Sequence, residues 1–125
     1  PYGFSFNGDA FNPDGSFNPP PIGQGLTCAT FVVQALASAG FQLLDLTTWQ
    51  AREGDIEWRE TIIGHLASVA QTEHVEALRQ DIDAIRVRPQ DVVAGGILET
   101  WPSSFEETSL IAQQVIAELH ERVAL

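Results

Sequence analysis

Apolar residues recur at helical spacing along most of the chain after residue 26. Between Cys28 and Ala39 they fall at i, i+3, i+4, i+7, i+8 and i+11, which is the spacing of one continuous helix face. That face consists of Cys28, Phe31, Val32, Ala35, Leu36 and Ala39. Thr27 is a favourable N-cap, and Gly40 is a favourable residue just past a helix end. The pattern predicts a helix bounded by Thr27 and Gly40 and buried on more than one side.

A short extended segment is predicted over residues 41–46, and two helices follow it. The first covers residues 55–70, with acidic residues near its start, where the helix dipole favours them. Thr72 can cap the next helix. The predicted inward positions of the two helices are Ile56, Ile62, Ile63, Leu66, Val69, Val75, Leu78, Ile82 and Ile85.

Two more helices are predicted towards the end of the chain. Pro89 starts a short one, as proline does at a first helical position, and the pair Gly95 and Gly96 is expected to break it. The last helix opens near Ser103, which has capping-box spacing with Glu106. Its predicted inward stripe consists of Phe105, Leu110, Ile111, Val115, Ile116, Leu119 and Val123.

Residues 1–25 have a different composition, rich in Gly, Pro, Asn and Phe. Turn chemistry recurs at Asn7-Gly8 and again from Asn12 to Gly15. Aromatic residues lie between the turns, at Phe4, Phe6, Phe11 and Phe17. The sequence predicts an ordered irregular arm, pinned to a core by its aromatic rings, with room for one short hairpin. Disorder is the alternative, and the aromatic content argues against it.

The negative charge of the chain disfavours nucleic acids and anionic membranes as binding partners. The chain of 125 residues carries 17 acidic residues against 6 arginines, a formal charge of −11. Such a chain repels nucleic acids and anionic lipid, because phosphate contacts need clustered Arg and Lys. No apolar run is long enough for a transmembrane segment. Most of the acids are interpreted as solvated helix faces.

Length and composition indicate a single domain over residues 1–125, or the C-terminal part of one. In this division residues 1–25 form the arm and residues 26–125 are mainly helical. The chain contains no Met and starts Pro-Tyr-Gly-Phe, so processing or a missing N-terminal segment is expected. The lone Cys fits a reducing compartment such as the cytoplasm, and it excludes an internal disulfide and a cysteine-based zinc site.

Cys28 is the residue best placed for chemistry. It follows the predicted cap by one residue, so it lies where unpaired backbone N–H groups and the helix dipole favour a thiolate. Its own N–H and a neighbouring donor would suit an oxyanion hole. Gly23 and Gly25 would let a substrate backbone approach closely. On spacing alone the alternative is stronger, namely that Cys28 is a small core residue.

The segment GLTCATFVVQALASAG, residues 25–40, resembles the nucleophile helix of the papain-like NlpC/P60 superfamily. It is most similar to the circularly permuted branch, which includes the YaeF/YiiX-like and lecithin retinol acyltransferase-like proteins. Those helices begin with a Cys, carry a Phe-Val or similar pair three and four residues on, and end in small residues. The matching residues here are Cys28, Phe31 and Val32.

The resemblance implies an α+β papain-like fold, of which this chain would hold mostly the helical part. It also implies a cysteine hydrolase or acyltransferase acting on an amide or ester of a peptide, a lipid or another acyl substrate. In the permuted branch a catalytic His lies on a strand upstream of the Cys. No His precedes Cys28. The resemblance therefore implies a His in a segment before Pro1.

His74 is the best candidate base within the chain, because it lies near a helix start. Two functions are therefore expected. The first is a cysteine hydrolase using Cys28, with His74 or an upstream His as base and no metal or cofactor. The second is a non-catalytic helical module, in which Cys28 is a core residue and the acidic surface with the aromatic arm binds a protein partner.

Overall fold

The computed structural model describes residues 1–123. Apart from two isolated β-bridges, the regular secondary structure in that range is helical. The five helices are α1 (Cys28–Ser38), α2 (Asp55–Leu66), α3 (Thr72–Gln80), α4 (Pro89–Ile97) and α5 (Phe105–Val123). A short 3-10 helix, Leu46–Thr48, follows α1. None of these helices is long and apolar enough to span a bilayer.

The predicted α+β papain-like fold is wrong, because residues 1–123 form no sheet. Strand pairing in this range is limited to two isolated bridges, one joining Phe11 to Phe17 and one joining Leu44 to Ser103. The segment expected to be extended, residues 41–46, makes only the second bridge, since the chain turns into the 3-10 helix at Leu46.

The chain folds as two compact units. Unit 1 comprises residues 1–27 and 51–86, and unit 2 comprises residues 28–50 and 87–125. Each has its own hydrophobic core. Unit 1 is centred on Phe4, Ile63, Val75 and Leu78, and unit 2 on Ala29, Val33, Leu43, Leu44, Trp49 and Val87.

Backbone hydrogen bonds join the start of the arm to its last residue, Gly25, and to Leu26, which follows it. The Gly25 N–H donates to Ser5 O at 3.0 Å, and the Leu26 N–H donates to Pro1 O at 3.2 Å. Phe4 is buried and meets the Trp58 ring edge-on, with ring centroids 5.5 Å apart. An irregular segment is thus anchored by its backbone and by two aromatic side chains, because Tyr2 also packs against this core.

In unit 2, α1 ends as the sequence predicts. Gly40 adopts φ +84°, its N–H donates to Ala37 O, and the next N–H, from Phe41, donates to Leu36 O. These two bonds form a Schellman motif, which satisfies carbonyls that the helix end leaves open.

The predicted break in α4 is wrong, because the helix runs through Gly95 and Gly96 to Ile97. A Cβ at Gly95 would lie 2.8 Å from Leu44 Cδ2 and 3.2 Å from Leu43 Cγ. The glycine therefore allows close packing of α4 on the segment after α1, and tertiary packing outweighs its poor helix propensity.

The cap of α5 is displaced by one residue from the predicted one. Ser104 Oγ accepts the Glu107 N–H at 3.3 Å, whereas Ser103 is fully buried and pairs through its backbone with Leu43 and Asp45. Ser103 is therefore committed to the bridge with the segment after α1, and the next serine caps the helix.

Candidate functional site

Cys28 is the first residue of α1, and its side chain is exposed. The prediction that this helix is buried on several sides is wrong: α1 buries Ala29 and Val33, while Phe31 and Val32 are exposed. Within the described residues the Cys28 sulfur has no hydrogen-bond partner. The thiol therefore faces solvent, and the alternative of a core cysteine does not describe it.

The glycines before Cys28 are packed against the chain itself. A Cβ at Gly25 would lie 2.5 Å from Pro1 O and 2.6 Å from Gly3 N. At Gly23, where φ is +89°, it would lie 2.6 Å from the Cβ of Ala77. The close approach that the sequence assigns to a substrate backbone is thus made by the arm and by α3.

His74 lies in α3, half-buried, and both of its ring nitrogens contact the arm. The Gly23 N–H donates to Nδ1 at 3.0 Å, and Nε2 lies 2.7 Å from Tyr2 O. A carbonyl oxygen only accepts, so Nε2 carries the proton and Nδ1 offers its lone pair. These contacts select the neutral Nε2–H tautomer, which joins two parts of the arm to α3.

The two predicted catalytic residues do not share a compact unit, since Cys28 belongs to unit 2 and His74 to unit 1. A base needs a free nitrogen within hydrogen-bond reach of the thiol. For His74 to act so, one of its contacts with the arm would have to open. Its catalytic role stays a prediction.

A pocket of about 270 Å³ opens beside His74 in unit 1. Its lining consists of Pro1, Pro20, Pro21, Ile22, Gln24, Gln71 and His74. It is smaller than the roughly 300 Å³ at which typical ligand sites begin. The imidazole is engaged by the arm, and Gln24 Oε1 accepts the Asn7 N–H at 3.0 Å, so two of the polar side chains in the pocket wall already have partners.

The other two histidines lie on helix surfaces. His65 is exposed in the last turn of α2, and His120 is exposed near the end of α5. Among residues 1–123, no group of three or more His, Cys, Asp or Glu residues is arranged to hold a metal ion.

The structural roles of two charged residues were not predicted from the sequence. Asp91 is fully buried, and its Oδ2 accepts the Arg88 N–H at 2.7 Å, which caps α4. Arg59 donates to Leu78 O at 2.7 Å and to Arg79 O at 2.9 Å, at the end of α3. For Asp91 there was a local signal, because it stands three residues after the N-cap. The target of Arg59 is twenty residues away, beyond any local pattern.

Unit 2 exposes many large apolar side chains on its helices. Half or more of the surface is exposed at Val93 (52%) and Ile97 (58%) on α4. On α5 the exposed fractions are 63% at Leu110, 49% at Leu119 and 62% at Val123, so the predicted inward stripe is wrong at those three positions. The other four residues of the stripe, Phe105, Ile111, Val115 and Ile116, are half-buried.

The exposed charge is almost entirely negative. Of the acidic residues 13 are exposed, whereas only Arg79 and Arg122 are exposed among the arginines. On unit 2 the exposed acids are Glu99, Glu106, Glu107, Glu118 and Glu121. Unit 2 thus exposes both apolar side chains and carboxylates, and four of its five exposed acids lie on α5.

Searches among protein-family models, curated proteins and solved structures find no match to the chain.

Proposed function

We propose that the chain is a helical protein-interaction module that binds a basic protein partner through apolar side chains on unit 2. The observation that carries the proposal is the exposed pair Val93 and Ile97, at i and i+4 on α4. Residues at that spacing lie side by side on a helix surface, so they form a patch and not two isolated contacts. Contiguous exposed apolar surface in a folded protein is typical of interaction sites.

The acidic surroundings determine the kind of partner. Electrostatic complementarity selects partners and speeds their encounter, so a surface dominated by carboxylates favours a basic protein. The same charge repels nucleic acids and anionic membranes. Val93 and Ile97 contribute apolar area, and the exposed acids of unit 2 contribute charge. Binding should therefore weaken when the pair is removed, and also when the salt concentration is raised.

The test compares three immobilised full-length proteins exposed to the same cell extract. They are the wild type, the double variant Val93→Ser/Ile97→Ser, and a matched control, Gln113→Ser/Gln114→Ser, on the exposed surface of α5. Circular dichroism checks that all three are folded. We expect a set of basic proteins that is retained by wild type and control, depleted several-fold with the α4 variant, and released by salt. If the α4 variant and the control retain the same proteins, the proposal is wrong.

A second proposal concerns Cys28, which is exposed in the first turn of α1. In this proposal the thiol acts as a nucleophile towards an amide or ester carbonyl. The thiol proton passes to a base, the sulfur bonds to the carbonyl carbon, and the alcohol or amine leaves with a proton. The thioester is then hydrolysed or transferred to an acceptor.

A simple ester, p-nitrophenyl acetate, tests this second proposal. An acylating Cys28 would give a burst of nitrophenol and an acetyl group on residue 28, seen by mass spectrometry, followed by turnover. Iodoacetamide would also alkylate it faster than a free peptide thiol. Cys28→Ser controls for other nucleophiles. If Cys28 is modified no faster than a peptide thiol and no turnover follows, the thiol has no catalytic function.

A further inference from the structure

The peptide bond between Asn7 and Gly8 lies in an open part of the arm, and both residues are exposed. Among residues 1–123, neither the Asn7 side chain nor the Gly8 N–H has a hydrogen-bond partner. Gly8 has φ +87°, and apart from its chain neighbours no atom lies within 4 Å of the place where a Cβ would be. The Gly8 nitrogen can therefore approach the amide carbon of the Asn7 side chain.

The other places where such an approach could occur are blocked. Asn12 and Asn18 are each followed by proline, whose ring nitrogen carries no hydrogen to give up. Asp14 precedes a glycine, but the Gly15 N–H donates to Asn12 O at 2.9 Å, and Asp14 Oδ1 accepts the Ser16 N–H at 2.9 Å. These hydrogen bonds must open before the Gly15 nitrogen can reach the side chain.

We propose that Asn7 is a site of spontaneous deamidation and that its isoaspartyl product loosens the arm. The Gly8 nitrogen gives up its proton and bonds to Asn7 Cγ, the Cγ–Nδ2 bond breaks, and ammonia leaves. Water then opens the cyclic imide at one of its two carbonyls, and the nitrogen regains a hydrogen. One opening gives aspartate, and the other gives isoaspartate, in which the main chain is longer by one carbon. Each product adds one negative charge.

The chain is anchored on both sides of the reacting bond. Before it, the Asn7 N–H donates to Gln24 Oε1 at 3.0 Å, and Ser5 O accepts the Gly25 N–H at 3.0 Å. After it, Ala10 is buried. The isoaspartyl form must fit an additional bond of about 1.5 Å between these anchors. The contacts of the arm with residues 24 and 25 should therefore weaken in that form, whereas the aspartyl form keeps the original main chain.

The first test measures the reaction in the full chain by peptide mapping and mass spectrometry during incubation at neutral pH. Wild type is compared with Asp14→Asn, which puts the same pair of residue types in the hydrogen-bonded turn. Synthetic peptides of residues 4–11 and 11–18 give the reference rates. We expect Asn7 to react within about threefold of its peptide, and the substituted position to react about tenfold more slowly than its own, because a hydrogen bond must open first.

In wild type, we expect conversion at Asn7 and none at Asn12 or Asn18. Asn7→Gln keeps the amide but forms the larger imide ring poorly, so it should remain unmodified. If Asn7 is slowed, relative to its peptide, as much as the substituted position 14, the inference is overturned.

The second test measures the arm in the product. The isoaspartyl form is purified from aged protein by ion-exchange chromatography, and Asn7→Asp is the matched control with the same added charge and an unchanged main chain. Hydrogen exchange at the Gly25 amide, which donates to Ser5 O, should be about tenfold faster in the isoaspartyl form than in the control. Equal exchange rates in the two proteins would show that the longer main chain leaves the arm in place, and that the proposed loosening is wrong.

Discussion

Unit 1 holds an irregular segment in place with hydrogen bonds, whereas unit 2 packs helix against helix. In unit 1 the arm is anchored by His74, by the backbone of Ser5, and by glycines that let backbone touch backbone. In unit 2 a glycine of α4 lets apolar side chains approach, and α4 packs on α5.

The difference teaches where binding surface comes from. Irregular backbone must find a partner for each buried polar group, and in unit 1 the side chains of His74 and Arg59 supply hydrogen bonds to backbone groups. Helices satisfy their own backbone and leave their side chains available, so both units expose apolar side chains, such as Ile56 of α2 in unit 1 and Ile97 of α4 in unit 2. The proposed binding pair, Val93 and Ile97, differs from the exposed residues of unit 1 in lying side by side on one helix.

The largest loss of stability is expected when one core leucine is shortened to alanine, in either unit. Leu44 in unit 2 and Leu78 in unit 1 are both fully buried. Each change to alanine should cost about 2–5 kcal/mol. Hydrogen exchange should show amide protection falling first in the unit that carries the variant. If both variants release the same set of amides together, the two cores are one cooperative structure and the comparison fails.

The next largest loss of stability is expected from adding a methyl group at Gly25. It would meet the backbone atoms Pro1 O and Gly3 N, which cannot move aside as a side chain can. We expect Gly25→Ala to cost about 1–3 kcal/mol in urea unfolding. The matched control is Gly64→Ala, in the last turn of α2 with open space around it, which should gain up to about 0.5–1 kcal/mol. Equal effects at the two positions would show that the arm is not packed this closely.

Removing the His74 imidazole should destabilise the fold by less than the changes above. His74→Ala leaves Tyr2 O and the Gly23 N–H without their partner, which should cost about 1–2 kcal/mol, since water reaches part of the site. His65→Ala, on an exposed surface, should change stability by less than about 0.5 kcal/mol.

Long-range ¹⁵N–¹H correlation spectra test the geometry at His74 directly. They should show His74 as the Nε2–H tautomer. An Nδ1–H tautomer would contradict the two contacts with the arm, whatever the stability of the variant.

The smallest effect on stability is expected from the contact between Asp14 and Ser16 in the arm. Hydrogen bonds from the Ser16 hydroxyl and N–H lower the pKa of Asp14 below its ordinary value of 3.8. A lowered folded-state pKa contributes stability above the unfolded value, and that contribution is lost as the pH falls through the folded value. An NMR titration should show the low pKa, and Ser16→Ala should raise it. An unchanged pKa in Ser16→Ala would mean that the turn is not formed.

Local signals predicted the helices well. Pro89 starts α4, Gly40 ends α1, and acids occupy the first turn of α2. Each of these depends on a few neighbouring residues, so the sequence is sufficient. The break expected at Gly95 was wrong because the leucines that it packs against lie some fifty residues earlier, and no local propensity reports them.

Burial was harder to predict than helix position. A pair such as Leu119 and Val123 shows which face of a helix is apolar, but not whether another element covers it. Coverage depends on the packing of elements that are distant in sequence, which no local pattern reports. The resemblance at Cys28 likewise rested on helix residues alone, and a helix of this composition is compatible with an all-helical chain.

Hydroxyl-radical footprinting of the leucines tests most directly whether unit 2 exposes its apolar helix surface. All four relevant side chains are of one type, so their intrinsic reactivity is the same. Leu110 and Leu119 should be oxidised many times faster than the buried Leu44 and Leu78 in the folded chain. Oxidation of Leu119 as slow as that of Leu44 would show that the end of α5 is already covered.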